Sequence, residues 1–79
     1  MMYYTYVLRS NKDGNLYIGY TNDLIRRIRK HNEAKVESTR VRLPVILIYY
    51  EACLDKEKAI KREKYLKSGF GRKYLKSRI

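Results

Sequence analysis

Five residues in this chain have the types and spacing for phosphoryl chemistry: Tyr6, Tyr17, Arg27, His31 and Glu63. A guanidinium can grip two oxygens of a phosphate at once. A phenol or an imidazole can take a proton from water. A carboxylate can carry a divalent ion that stabilises a leaving oxygen. Other chemistries lack their residues. There is no Cys/His pattern with zinc spacing, no Gly-rich phosphate loop and no nucleophile elbow. Two-metal sites need several convergent carboxylates, and here Glu63 alone looks buried. A phosphodiesterase built from this inventory uses one divalent ion.

The elements that must position these groups start at Leu16-Tyr17-Ile18-Gly19-Tyr20, a short aromatic and β-branched strand. Thr21-Asn22-Asp23 turns the chain, and Asp23 can accept from the free N–H groups of a helix that starts at Leu24. Leu24, Ile25 and Ile28 make an apolar stripe, with Arg26, Arg29 and Lys30 turned away from it. Arg27 and His31 fall one turn apart at the edge of that stripe, where core meets solvent beside Tyr17. That is a suitable place for a phosphate.

Upstream, Tyr4, Tyr6 and Leu8 alternate with Tyr3, Thr5 and Val7 in a strand pattern. The cluster Asn11-Lys12-Asp13-Gly14-Asn15 contains Asp-Gly, a strong hairpin signal. A hairpin there is expected to set Tyr6 opposite Tyr17 and Tyr4 opposite Gly19. Downstream, 32–44 is a polar, basic connection, in which Lys35, Ser38, Thr39, Arg40 and Arg42 are candidate phosphate-backbone contacts. Val45 to Tyr50 is a continuous apolar run, the mark of a strand covered on both faces by helices.

Asp55 is expected to cap a second helix from Lys56 to Ser68, with Gly69 as its stop. Ala59, Ile60 and Leu66 form its thin apolar side, and Glu63 falls in the middle of that side. A buried carboxylate must be hydrogen-bonded, ion-paired or bound to a metal. Phe70, Tyr74, Leu75 and Ile79 suit a short closing helix with Arg72, Lys73, Lys76 and Arg78 exposed.

Charge and size narrow the partner. Seventy-nine residues allow one domain, and such a chain buries only about 60% of its surface. Nineteen Lys and Arg against eight Asp and Glu give a formal charge of +11, interleaved with nine tyrosines. That field attracts polyanions, and nucleic acid is favoured over membrane, since no helix has an interfacial moment. A generally basic or ribosome-associated protein would carry the same composition. The lone Cys53 fits a reducing compartment and reads as a buried, inert thiol. No apolar run is long enough to cross a bilayer and the N-terminus has no leader pattern, so a cytoplasmic location is expected.

Tyr4-Thr5-Tyr6, Tyr17-Ile18-Gly19, Arg27, His31 and Glu63 together resemble the GIY-YIG nuclease domain, over essentially the whole chain. The likeness is strongest to small stand-alone bacterial members related to the N-terminal nuclease domain of the bacterial excinuclease. Arg27 stands ten residues after Tyr17, as the family's arginine follows its second-motif tyrosine. The resemblance implies an α+β fold, a three-stranded antiparallel sheet flanked by helices, and Mg²⁺- or Mn²⁺-dependent DNA strand cleavage. By that analogy Tyr17, with Tyr6 beside it, is the general base or positions the water. Arg27 stabilises the phosphate, His31 fills a place held by Tyr or His, and Glu63 binds the metal. Arg26, Arg29, Lys30, Lys35, Arg40 and Arg42 are the expected DNA contacts, and the protein is expected to act as a monomer. Branched, damaged or nicked DNA, in repair or recombination, is the implied substrate class. Two features depart from the pattern. Tyr4-Thr5 stands where the first motif has Gly-Ile, and the asparagine found near the C-terminus of some members has no clear counterpart. The competing reading is a basic nucleic-acid-binding module that keeps the scaffold and does no chemistry.

Overall fold

Tyr3–Ser10 (β1) is the strand the fold closes around: Thr5, Tyr6, Val7 and Leu8 are all buried in succession. Consecutive burial means that both faces of β1 are covered, and the topology provides this. The computed structural model describes residues 1–79 as a three-stranded antiparallel sheet in the order β2-β1-β3, with three helices. Leu16–Thr21 is β2 and Val45–Cys53 is β3; the helices are Leu24–Asn32 (α1), Lys56–Lys67 (α2) and Gly69–Lys76 (α3). This is the expected α+β class, but the doubly covered strand is β1. The apolar run in β3 lies at a sheet edge, where Ile46 and Tyr50 are exposed. A bulge explains the run. Val7 pairs with Tyr49 and Leu8 with Leu47, so Ile48 is the extra residue. Ile48 and Tyr49 thereby pack on one side of the sheet while Leu47 packs on the other.

The hairpin turns with Gly14 at φ +73°, a conformation that favours glycine. Its register places Tyr6 opposite Gly19 and Tyr4 opposite Thr21, two residues from the expected pairing. A shift of two preserves every face, so Tyr6 and Tyr17 still share one. On that face Tyr6, Leu8 and Val45 meet Leu24 and Ile28 of α1, whereas Ile25 is 74% exposed and lies outside the predicted stripe. On the opposite face Val7 and Ile18 pack against Leu66 of α2 and Leu75 of α3.

The caps follow the sequence. Asp23 accepts from Arg26 N at 3.2 Å and Asp55 from Lys58 N at 3.1 Å. Gly69 does not act as a stop. Ser68 ends α2 and also caps α3, accepting from Gly71 N at 3.3 Å. Cys53 is the last residue of β3 and only half-buried, its thiol hydrogen-bonded to the Asp55 carbonyl. No helix is long and apolar enough to cross a membrane.

Candidate active site

Gly19 makes the site possible. A Cβ there would meet the Tyr6 ring and hydroxyl at 2.5 Å, so only a bare backbone lets Tyr6 lie across β2. Tyr6 is fully enclosed, and its hydroxyl sits 2.9 Å from His31 Nε2. Arg27 Nε donates to the same hydroxyl at 3.3 Å. The Tyr17 ring stands edge-on to the imidazole, 5.0 Å between centroids, and tilted against Tyr6 at 6.2 Å. Four of the five candidate residues therefore form one contiguous cluster, delivered by β1, β2 and α1.

Charge is distributed unevenly in it. Burial is the main cause that pushes the Tyr6 hydroxyl up to about 12, and the nearby Glu63 charge adds to it. Tyr6 is thus a poor proton acceptor near neutral pH. Burial, with Arg27 alongside, pulls His31 down to about 4, so the imidazole is neutral. The Tyr6 hydroxyl accepts from Arg27 and holds the guanidinium charged, with Tyr17 contributing in the same sense. Arg27 has no carboxylate partner.

Glu63 enters from α2, which packs on the sheet face opposite α1. Its neighbours Ala59 and Leu66 are buried as the wheel requires, but its own side chain is about one-fifth exposed. It is also paired already, to Lys67 Nζ at 3.0 Å. The expectation of a buried carboxylate seeking a partner is corrected to a half-buried one in a surface i,i+4 pair. No group of three or more His, Cys, Asp or Glu side chains is placed to hold a metal. Among the five candidate residues Glu63 is the one carboxylate.

The basic candidates divide. Arg26 and Lys30 line a polar cavity of about 180 Å³ with Arg27, Thr21, Asn22 and Asp23. Arg29 and Arg40 are exposed away from it, and Lys35 is paired with Glu33 at 3.1 Å. Arg42 lies 3.9 Å from Asp13 and lines a second cavity of about 420 Å³ with Arg72 and Lys76. Thr39, read from sequence as a backbone contact, is instead fully buried, with Oγ1 2.7 Å from His31 Nδ1. An aperiodic connection gives no signal for that inward turn.

The GIY-YIG catalytic domain model matches residues 2–75. The chain belongs to the GIY-YIG family. This GIY-YIG chain is 47% identical over 66 residues to a UPF0213 protein of Bacillus licheniformis, covering 82% of this chain and 67% of that one. To a UPF0213 protein of Streptococcus pneumoniae it is 49% identical over 65 residues, 81% of this chain and 65% of the relative. A Staphylococcus saprophyticus relative is 41% identical over 75 residues, covering 94% and 90%. The chain thus spans about two thirds of the length of the first two relatives and nearly all of the third. The solution structure of the UPF0213 protein BH0048 from Bacillus halodurans superposes with a TM-score of 0.60 at 39% identity, over 98% of this chain and 84% of that one. Tyr6 and Tyr17 lie within the matched residues, on adjacent strands.

Proposed function

We propose that this GIY-YIG protein is a divalent-metal-dependent DNA endonuclease that hydrolyses phosphodiester bonds. One observation carries the reading: Arg27 is pinned by a neutral phenol and keeps its full charge beside Tyr17. A guanidinium so held is free to bind the non-bridging oxygens of a phosphate and the charge that builds on them during attack. Arg26 and Lys30, in the same cavity, bind neighbouring phosphates of the strand. Tyr17 is only half-buried, so its hydroxyl is the phenol that reaches the attacking water and accepts or relays its proton. Tyr6, enclosed and held protonated, orients Arg27 and His31.

The donor set suits a magnesium-type ion, which keeps most of its waters and needs only one or two carboxylates plus substrate phosphate. Glu63 is the residue that would hold it. When bound, such an ion stabilises negative charge on the leaving oxygen. Branched, damaged or nicked DNA is the proposed substrate class, on the strength of the family resemblance.

The test is incubation with supercoiled plasmid, flap and junction DNA, with Mg²⁺, with Mn²⁺ and with chelator. Metal-dependent nicking, lost in Glu63→Gln, is expected. Salt-sensitive binding with no cleavage of any substrate would replace this reading with the silent binding module.

A further inference from the structure

The polar groups behind Arg27 form a single file. Arg27 Nε lies 3.3 Å from Tyr6 Oη, which lies 2.9 Å from His31 Nε2. His31 Nδ1 lies 2.7 Å from Thr39 Oγ1, which reaches the Val36 carbonyl at 3.4 Å. One end of the file, an arginine Nε–H, can only donate; the other, a carbonyl, can only accept. Between them stand a hydroxyl, a neutral imidazole and a second hydroxyl, each with one proton to place. Counting Arg27, four protons serve four links. Only one arrangement gives each link its own proton: Arg27 to Tyr6, Tyr6 to His31 Nε2, His31 Nδ1–H to Thr39, and Thr39 to Val36. With the other imidazole tautomer, His31 and Arg27 both donate to Tyr6, and the Tyr6 proton loses its partner in this enclosed file.

We propose that Thr39 is a positioning residue for Arg27. By accepting the Nδ1 proton it holds His31 in the tautomer that lets Tyr6 donate inward and present its lone pairs to the guanidinium. Thr39 is suited to the task. It is fully buried on a connection otherwise largely exposed, and Val36 is the other buried residue in 33–40. The connection returns to α1 through a left-handed residue, Ala34 at φ 61°, whose N–H bonds the His31 carbonyl at 3.0 Å. The groups around the imidazole are Tyr6 from β1, Tyr17 from β2, Arg27 from α1 and Thr39 itself. No carboxylate competes with Thr39 for the imidazole proton.

The consequence for cleavage rests on the nuclease reading above, but the tautomer does not. The chain has one histidine, so ¹⁵N NMR of the imidazole reports His31 without assignment ambiguity. At pH 7 the unaltered protein is expected to show the Nδ1-protonated form and a slowly exchanging Arg27 Nε–H. Thr39→Val keeps the shape and removes the acceptor. It is expected to move the proton to Nε2, speed exchange of the Arg27 Nε–H and lower the cleavage rate by about 10- to 100-fold, the usual effect of losing such a supporting partner. Thr39→Ser restores the hydroxyl and should recover all three. An Nε2-protonated His31 in the unaltered protein overturns the proposal, whether or not the valine variant folds. So does a folded valine variant with unchanged tautomer and Arg27 exchange. If the unaltered protein shows the expected tautomer and exchange but cuts no DNA, the nuclease reading fails while the wiring of Arg27 stands.

Discussion

Each face of the sheet carries an arginine among tyrosines, and the two are wired in opposite ways. On the α2–α3 face, Arg62 grips Glu51 through two bonds of 2.9 and 3.0 Å. Its guanidinium also stacks over Tyr65 and Tyr74. Tyr49 donates to the same carboxylate at 2.7 Å. Burial works against the Glu51 charge, yet the hydrogen bonds from Arg62 and Tyr49 hold its carboxyl below the ordinary range. On the α1 face, Arg27 has only phenols, Tyr6 at 3.3 Å and Tyr17 beside it. A carboxylate neutralises its arginine and fastens α2 to β3; a phenol orients its arginine and leaves the charge available. The first arrangement stabilises a fold, and the second leaves a guanidinium without a counter-charge, as the proposed phosphate site requires.

The largest effect separating the two faces is expected at Glu63, the carboxylate whose charge is felt at Tyr6. Glu63→Gln should reduce cleavage to background while DNA binding persists. Its surface pair with Lys67 is worth only a few tenths of a kcal/mol, so the melting temperature should barely change without metal. Mn²⁺ should raise the midpoint of the unaltered protein and not that of the variant. Equal metal response in both would remove Glu63 from the site.

Next comes acid. His31 folds as the neutral imidazole and titrates at about 4, against 6.5 in an unfolded chain. The unfolded state therefore binds the extra proton first, and stability falls as pH drops from 6.5 towards 4, by up to about 3 kcal/mol. Above 6.5 this contribution is fully present. An NMR titration of the single histidine with a midpoint near 6.5 would contradict the enclosed site.

Comparable in size is the loss expected for Tyr17→Phe, about 10²-fold in cleavage with normal folding. The matching change across the sheet, Tyr49→Phe, removes a hydroxyl that serves Glu51 and should leave cleavage intact. If the two variants cut equally well, Tyr17 is a packing residue. The smallest effect is in binding. Lys30→Glu in the polar cavity should weaken DNA affinity about tenfold and flatten its salt dependence. Affinity insensitive to salt would argue against phosphate contacts there.

Much of this can be read from the chain. Asp23 and Asp55 mark the starts of α1 and α2, and the alternation around Tyr6 and Tyr17 puts the two phenols on one face. The two-residue offset in register is harmless because strand faces repeat every second residue. Other features are hidden by their physics. The apolar run of β3 imitates a doubly covered strand because a bulge at Ile48 turns neighbouring residues to one side. Glu63 lies on the inner face of α2 as read, but a side chain of its length reaches Lys67. Thr39 sits in a stretch with no period, and only the returning path of the connection shows that it faces His31.

Whether the two arginines do different work is decided by comparing Arg27→Ala with Arg62→Ala for plasmid nicking rate and thermal midpoint under the same conditions. Arg27→Ala is expected to nick about 10²- to 10³-fold more slowly and to melt close to the unaltered protein. Arg62→Ala strands Glu51, and with both side chains about one-third exposed it should lose about 1–3 kcal/mol of stability while nicking normally below its melting point. If Arg27→Ala nicks at the unaltered rate, or if both variants lose the same property, the charge at Arg27 is not held for a phosphate.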